Sequence, residues 1–516
     1  MGTARPGRSR VAAAIAAAGL ILTACDEPAG SQSTATRLAA ASFESAPCPS
    51  PVIAGIPQLE LGPEFSCGYL TVPENRAQPD GRTIKIGVAR AKSQSPDPGR
   101  DPLIYLTGGP GGTAIASAAP LVQLGINRDR DVIFVDQRGT LHADPLLSCP
   151  EIDQFVDEAT GMSILAASTA QRDLDAVGPC RTRLASAGYD LSAYNTTENA
   201  ADIADLRTAL KIDNWHVYGV SYGSDLALQL LRDHPDGIRS IVLDSLVPPQ
   251  TNAMTQWWPS AAEGYRALFD ACAAQPGCAS AHPNLAGDFT TAVQRLTKTP
   301  LSVDLPAGNG QPARRVVIDG YTLANLVLSA SLTRGSYAAL PQTISAIAKG
   351  DGTAAAKAVL AGIPPTGLIG YGLAYGVFCR EDAAFTDPAA ILAAARQALP
   401  DLPTEVLSLE PQGPRFIDEC AVWNVGRADP AVHRPTNSDV PALLITGTFD
   451  AITPPSQADE AAKTLPQGKV VRFPGLGHDV FSASDCGRQI VADFLSRPDS
   501  YDTGCADAMQ PPTFVS

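Results

Sequence analysis

The run Gly219-Val220-Ser221-Tyr222-Gly223 sets one serine between two glycines, directly after the apolar stretch WHVYG and directly before SDLALQLLRDH. In a chain with 44 glycines a G-x-S-x-G pattern is a weak signal by itself, so its surroundings decide. The residues before it have the composition of a buried strand. Those after it place apolar residues at helical spacing. A strand that turns this sharply into a helix needs glycine at 219 and 223, because side chains would collide there. The turn lifts the Ser221 hydroxyl above the sheet and sets the positive end of the helix dipole beneath developing negative charge. These residues predict a nucleophile.

A serine hydroxyl attacks only when a base takes its proton and a carboxylate orients that base. On an elbow of this kind the partners follow in the order acid, then histidine. His234, His282, His433 and His478 lie downstream. His234 falls at the end of the helix that follows Ser221, and His282 and His433 fall in a later helical segment. His478 lies in the glycine-flanked loop PGLGHDV after the last apolar strand, and it is the expected base. Two carboxylates compete for the third role: Asp450, ending the strand of LLITGTFDAITPP, and Asp244, ending that of SIVLDS. Asp450 directly precedes the histidine loop, so it is the expected partner, with Asp244 left as a structural cap or a substrate-side group.

The tetrahedral intermediate of acyl transfer needs backbone N–H donors. Tyr222, the residue after the nucleophile, supplies one. The other is expected from Leu106-Thr107-Gly108-Gly109-Pro110-Gly111-Gly112, where Pro110 cannot donate and Gly109 is the choice. A glycine-rich loop can instead cradle phosphate, but no Lys-Ser/Thr follows to complete such a motif.

These groups need a scaffold. CGYLTVP and TIKIGVARAK read as an antiparallel hairpin across the polar turn Glu74 to Arg82. PLIYL, VIFVD, WHVYG and SIVLD are short apolar runs bounded by Gly, Pro or Asp, with stretches between them long enough for crossover helices. That is an α/β pattern with a mainly parallel sheet. Residues 46–247 form its first part. Residues 248–436 are Ala/Leu-rich, mostly helical, and expected as a cap over the C-terminal ends of the strands, where ligands bind in open α/β folds. Residues 437–516 complete the sheet with PALLITGTFD and KVVRFPGLGH.

The net charge of −15 and the lack of a basic run argue against nucleic acid or an anionic membrane surface as partner. Residues 1–25 read as an export signal: Arg5, Arg8 and Arg10 precede the apolar VAAAIAAAGLILT, and Leu22-Thr23-Ala24-Cys25 looks like a bacterial lipobox with Cys25 lipidated. Residues 26–45 then form a flexible tether. Ten cysteines remain, bunched in consecutive pairs, which suggests disulfides formed in sequence order. No C-x-x-C pair occurs and the six histidines are scattered, so no metal and no cofactor are expected. A monomer is expected.

Together the motifs resemble a known family. TGGPGG is similar to the HGGPG loop of prolyl aminopeptidases, with Thr107 where that family often has histidine. VDQRGT resembles their D-Q-R-G segment, and GVSYG their elbow. LRTALKIDNWHVYGVSYGSDLAL, TGTFDAITPP, PGLGH and the export signal resemble more closely the secreted tripeptidyl aminopeptidases. These include exported actinobacterial and mycobacterial cell-envelope serine hydrolases. The resemblance covers about residues 46–506. It implies an α/β-hydrolase fold with a helical cap and a triad of Ser221, Asp450 and His478. The segment GVFCREDAAF resembles a cap stretch of these peptidases, which points to Glu381 first and Asp382 second as groups that hold a substrate α-ammonium. The alternative for this pair is a solvated charged turn beside a Cys379–Cys420 disulfide. Thr140-Leu141-His142 departs from the family's usual continuation after D-Q-R-G.

The expected activity is therefore that of an extracytoplasmic, lipid-anchored serine hydrolase acting on peptide or protein, an aminopeptidase releasing short peptides from free N-termini. A carboxylesterase or lipase, or a specific endoprotease, would use the same triad. A solute-binding protein on a degenerate hydrolase scaffold would lack a triad member, and none is missing.

Overall fold

The computed structural model describes residues 41–49, 61–96, 100–308, 312–332, 336–411 and 413–515. The expected export signal, its expected lipidation site Cys25 and the expected tether up to residue 40 lie outside the described residues. Among the described residues a nine-stranded sheet organises the chain. Its strands are β1 (Ser42–Ala46), β2 (Phe65–Pro73), β3 (Thr83–Ala91), β4 (Leu103–Leu106), β5 (Val132–Val135), β6 (Trp215–Val220) and β7 (Ile238–Asp244). A short hairpin, β8 (Leu301–Leu305) and β9 (Arg314–Ile318), lies apart from the sheet. β10 (Ala442–Gly447) and β11 (Gly468–Phe473) then complete it, in the order β1-β2-β3-β5-β4-β6-β7-β10-β11. The strands from β5 to β11 run parallel, and β1, β2 and β3 form an antiparallel edge.

The parallel strands are apolar at every position because both faces are covered. In β4, Ile104 and Leu106 join one buried cluster while Leu103 and Tyr105 join another. In β5, Ile133 and Val135 divide from Val132 and Phe134 in the same way. Successive side chains point to opposite faces, so each continuous apolar run supplies two cores at once. A third cluster, including Trp258, Tyr265, Phe289 and Tyr321, belongs to the segment between β7 and β10. That segment is mostly helical, and it also carries the β8–β9 hairpin, which periodicity in the sequence does not disclose.

A second difference lies at the start of the sheet. Residues 42–45 belong to β1, paired with β2 from Ser42 opposite Thr71 to Ala46 opposite Cys67, and not to the tether. The SFESA stretch is too polar to read as a strand. Its backbone pairing holds it there, with a Cys48–Cys67 disulfide just beyond. The ten described cysteines pair in sequence order: 48–67, 149–180, 272–278, 379–420 and 486–505. Among the described residues no helix is long and apolar enough to cross a membrane.

Candidate active site

Ser221 sits between β6 and the helix Tyr222–Asp233 with φ 57° and ψ −130°. A non-glycine residue held there costs about 1–3 kcal/mol and persists only where its surroundings over-determine it. The surroundings do so. Ser221 N–H donates to Asp244 O at 3.0 Å, and Ser224 N–H donates to Ser221 O at 2.8 Å. The Ser224 hydroxyl donates to the same oxygen at 2.5 Å while accepting from Val247 N–H. Neither flanking glycine admits a side chain: a Cβ on Gly219 would lie 2.3 Å from Gly223 O, and one on Gly223 would lie 2.1 Å from Leu106 O. Ser221 takes the N-cap position without its hydroxyl capping the helix.

His478 and Asp450 are brought together. His478 Nδ1 is 2.8 Å from Asp450 Oδ2, and Asp450 is fully buried. The same carboxylate accepts from Ile452 N–H at 2.9 Å and from Thr453 through N–H at 3.0 Å and hydroxyl at 2.8 Å. Burial disfavours the Asp450 charge, but His478 and these donors outweigh it and hold the carboxyl below its ordinary value. His478 mirrors this: burial lowers its basicity, and Asp450 more than restores it, with Asp244 and Asp479 adding to the effect. The competing Asp244 does not bond the imidazole. It accepts from Tyr218 hydroxyl at 2.5 Å and from the N–H groups of Val480 and Phe481 at 2.9 Å, which anchors the chain just beyond His478.

Ser221 and His478 open into one cavity of about 680 Å³, also lined by Gly108, Gly109 and Tyr222. Gly109 has φ 122°, and Gly108 packs so tightly that a Cβ there would lie 2.5 Å from Ser221 Cβ. This loop is braced from the D-Q-R-G segment. Gln137 Nε2 donates to Thr107 O at 2.9 Å, and Asp136 accepts from Thr113 hydroxyl and Ile115 N–H. The buried Arg138 donates to Glu74 O and Ala193 O and pairs with Asp202. His142 in the divergent Thr140-Leu141-His142 stretch closes the brace, its Nδ1 2.6 Å from Asp136 Oδ2.

Glu381 and Asp382 also line the cavity, on a π-helical turn Phe378–Asp382 contributed by the insertion. The solvated-turn alternative does not hold: they are 4% and 8% exposed. Glu381 accepts from Thr196 through N–H at 2.7 Å and hydroxyl at 2.6 Å, and Asp382 Oδ1 accepts from Ala253 N–H at 2.7 Å. Burial pushes both carboxyls up to about 7. The structure adds a third acid, Asp225, on the helix that begins at Ser221. It is raised well above the carboxylate range by burial and by the neighbouring Glu381 and Asp382. Sequence reasoning passes over Asp225 because an acid in the first turn of a helix has an ordinary role there, complementing the dipole. The available signal is its place amid the apolar residues of a helix that must be buried.

An elbow serine, a buried Asp–His pair and a glycine loop at the C-terminal ends of parallel strands define an α/β-hydrolase, and the chain belongs to that family. The model for the alpha/beta hydrolase fold matches residues 101–484. Among curated relatives, a tripeptidyl aminopeptidase of Streptomyces lividans is 32% identical over 198 residues, 36% of each chain. Serine protease Hip1 of Mycobacterium tuberculosis is 26% identical over 287 residues, 52% of each. The matched stretches thus span about a third to a half of these relatives. Among solved structures, a proline iminopeptidase of Mycobacterium smegmatis aligns over 84% of this chain and 98% of its own, with TM-score 0.39 and 17% identity.

Proposed function

We propose that the protein is an exported serine peptidase that releases short peptides from free N-termini. The observation that carries this reading is the buried Asp450–His478 pair opening into the same cavity as the elbow serine. Ser221 attacks the scissile carbonyl and His478 takes its proton. Asp450 holds the imidazole with Nδ1–H toward itself and stabilises the imidazolium. The amides of Tyr222 and Gly109 receive the oxyanion. His478 then protonates the leaving amine, and water hydrolyses the acyl-enzyme by the same route in reverse. The acidic wall of Glu381 and Asp382 favours a substrate with a free ammonium over a capped one, and the curated relatives named as peptidases support the same class.

The test compares wild type with Ser221→Ala on a fluorogenic tripeptide amide with a free or an acetylated N-terminus. The expected result is cleavage of the free form alone, lowered by about 10⁴-fold or more in the variant. Cleavage of both forms at equal rates would instead favour endopeptidase action. An esterase reading has its own support: Trp257, Val377, Phe378 and Val432 give the cavity an apolar flank that would hold an acyl chain. A faster turnover of medium-chain esters than of any peptide would decide for it. The proposed anchor is Cys25; Cys25→Ser should move the protein from the membrane fraction to the soluble one.

A further inference from the structure

Aspartate, glutamate and histidine are the ionisable side chains of the cavity besides tyrosine: Asp225, Glu381, Asp382, Asp479, His433 and His478, with no lysine or arginine among its described lining residues. Such a wall offers an anion no counter-charge and suits a cationic guest, whose charge favours the ionised form of the acids. Its three clustered acids are not equivalent. Both Glu381 oxygens are engaged by Thr196, whose hydroxyl also meets Tyr222 hydroxyl at 3.0 Å, and Asp382 Oδ1 is engaged by Ala253 N–H. Asp225 is nine-tenths buried, its carboxyl is bonded by Gln229, and its Oδ1 has no partner among the described residues. A buried acceptor left unpaired carries a desolvation cost that a ligand donor removes.

Resting on the aminopeptidase reading, we infer that Asp225 is the specificity-determining carboxylate that takes a substrate ammonium, while Glu381 and Asp382 supply the surrounding negative field. An ammonium brings three donors and no acceptor, and a carboxylate meets it with a charge-assisted bond. Asp225 stands one helical turn beyond Ser221, about 6 Å along the axis. Recognition of the charge and attack on the carbonyl therefore sit on one helix and the turn that starts it, and their separation does not depend on the insertion. Arg232, on the same helix, bonds Asp233, Gln229, Val432 O and Arg434 O; its charge reaches Asp225 only as a minor lowering influence, and no bond joins the two. Burial first, and then the charges of Glu381 and Asp382, raise the proton affinity of Asp225, and an arriving ammonium opposes both, so binding at Asp225 releases a proton.

The experiment uses the full chain and its Asp225→Asn variant on four substrates: a neutral tripeptide amide with a free N-terminus, its N-acetyl form, the N-acetyl form with lysine before the scissile bond, and p-nitrophenyl acetate. The expected result is a loss of roughly 10- to 100-fold in kcat/KM, carried by KM, on the free-amine peptide, with ester hydrolysis unchanged. A loss confined to the lysine substrate upholds the cation site and assigns it to a side-chain ammonium. Equal losses on every substrate, or none, overturn the inference. Should Asp225→Asn fail to fold, Asp225→Glu keeps the charge and must keep the preference for free amines. If wild type hydrolyses the ester but no peptide, the aminopeptidase reading fails by itself. Inhibition of ester hydrolysis by the free-amine peptide, weakened or not in the variant, then still decides for or against Asp225.

Discussion

At the scale of single residues the proposed mechanism depends on the protonation of His478. Asp450 raises its basicity against the opposing effect of burial, so on that mechanism activity needs a pH high enough to leave the imidazole neutral. Asp450→Asn removes the charge that raises His478. The ascending limb of the kcat/KM profile should therefore move to lower pH, while kcat falls by about 10⁴-fold. A profile whose limb stays in place would mean another group titrates there. Thr453 hydroxyl lies 2.8 Å from Asp450 Oδ2 and 3.1 Å from His478 Nδ1. Thr453→Val should cost about 10-fold in kcat with little change in KM, since one positioning bond is lost and the proposed triad keeps its members.

At the scale of elements, the nucleophile turn and the glycine loop are one packed unit. Gly223→Ala forces a Cβ against Leu106 O at the end of β4, directly before the loop that carries Gly108 and Gly109. We expect a loss of about 1–3 kcal/mol in stability and a larger proportional loss of ester hydrolysis, because the loop must move away from Ser221. Denaturant melts beside p-nitrophenyl acetate rates would separate the two effects. A second contact joins the helix Ala167–Ser186 to the insertion, where Glu419 accepts from Tyr375 hydroxyl at 2.8 Å and faces Asp173. Burial and Asp173 raise Glu419 well above its ordinary range. Glu419→Gln should melt close to wild type at pH 5 and above it at pH 8, because only wild type must keep or expel a proton there. An unchanged gap between the two pH values would refute this.

At the scale of the whole molecule the same physics sums. Burial lifts Asp173 to about 6, Asp244, Glu381 and Asp382 to about 7, and Glu410 to about 8. These acids hold protons in the fold that the unfolded chain releases above its ordinary carboxylate range. A group with a raised folded-state value gives stability that is complete below the unfolded value and is lost as pH rises through the folded one. The protein should therefore melt at a higher temperature at pH 5 than at pH 8, as scanning calorimetry at fixed ionic strength would read. Carboxyls held low, such as Asp450 and Asp129, act in the opposite sense but only at more acid pH; His216, lowered by burial to about 3, opposes within the same window but is one group against five.

The linear order of residues settles the local chemistry. A strand, a glycine-flanked serine and an amphipathic helix in succession permit one tight turn, so Ser221 is legible from residue types and spacing alone. The order of the later strand ends points to Asp450 and His478, and continuous apolar runs disclose parallel strands covered on both faces. Cysteine spacing suggests the pairing that the fold shows. Contacts between distant segments settle the rest, and these exist only in the folded chain. Asp244 and Asp450 look alike at two strand ends, and only the sheet order and the path of the loop after β11 place one beside the imidazole and the other beneath Val480 and Phe481. β1 is held by pairing with β2 and not by its own composition. Whether Glu381, Asp382 and Asp225 are solvated charges or a buried acidic wall depends on how the insertion closes over the helix Tyr222–Asp233. Burial is a property of neighbours, and Asp225 lies more than 150 residues from Glu381 and Asp382 along the chain.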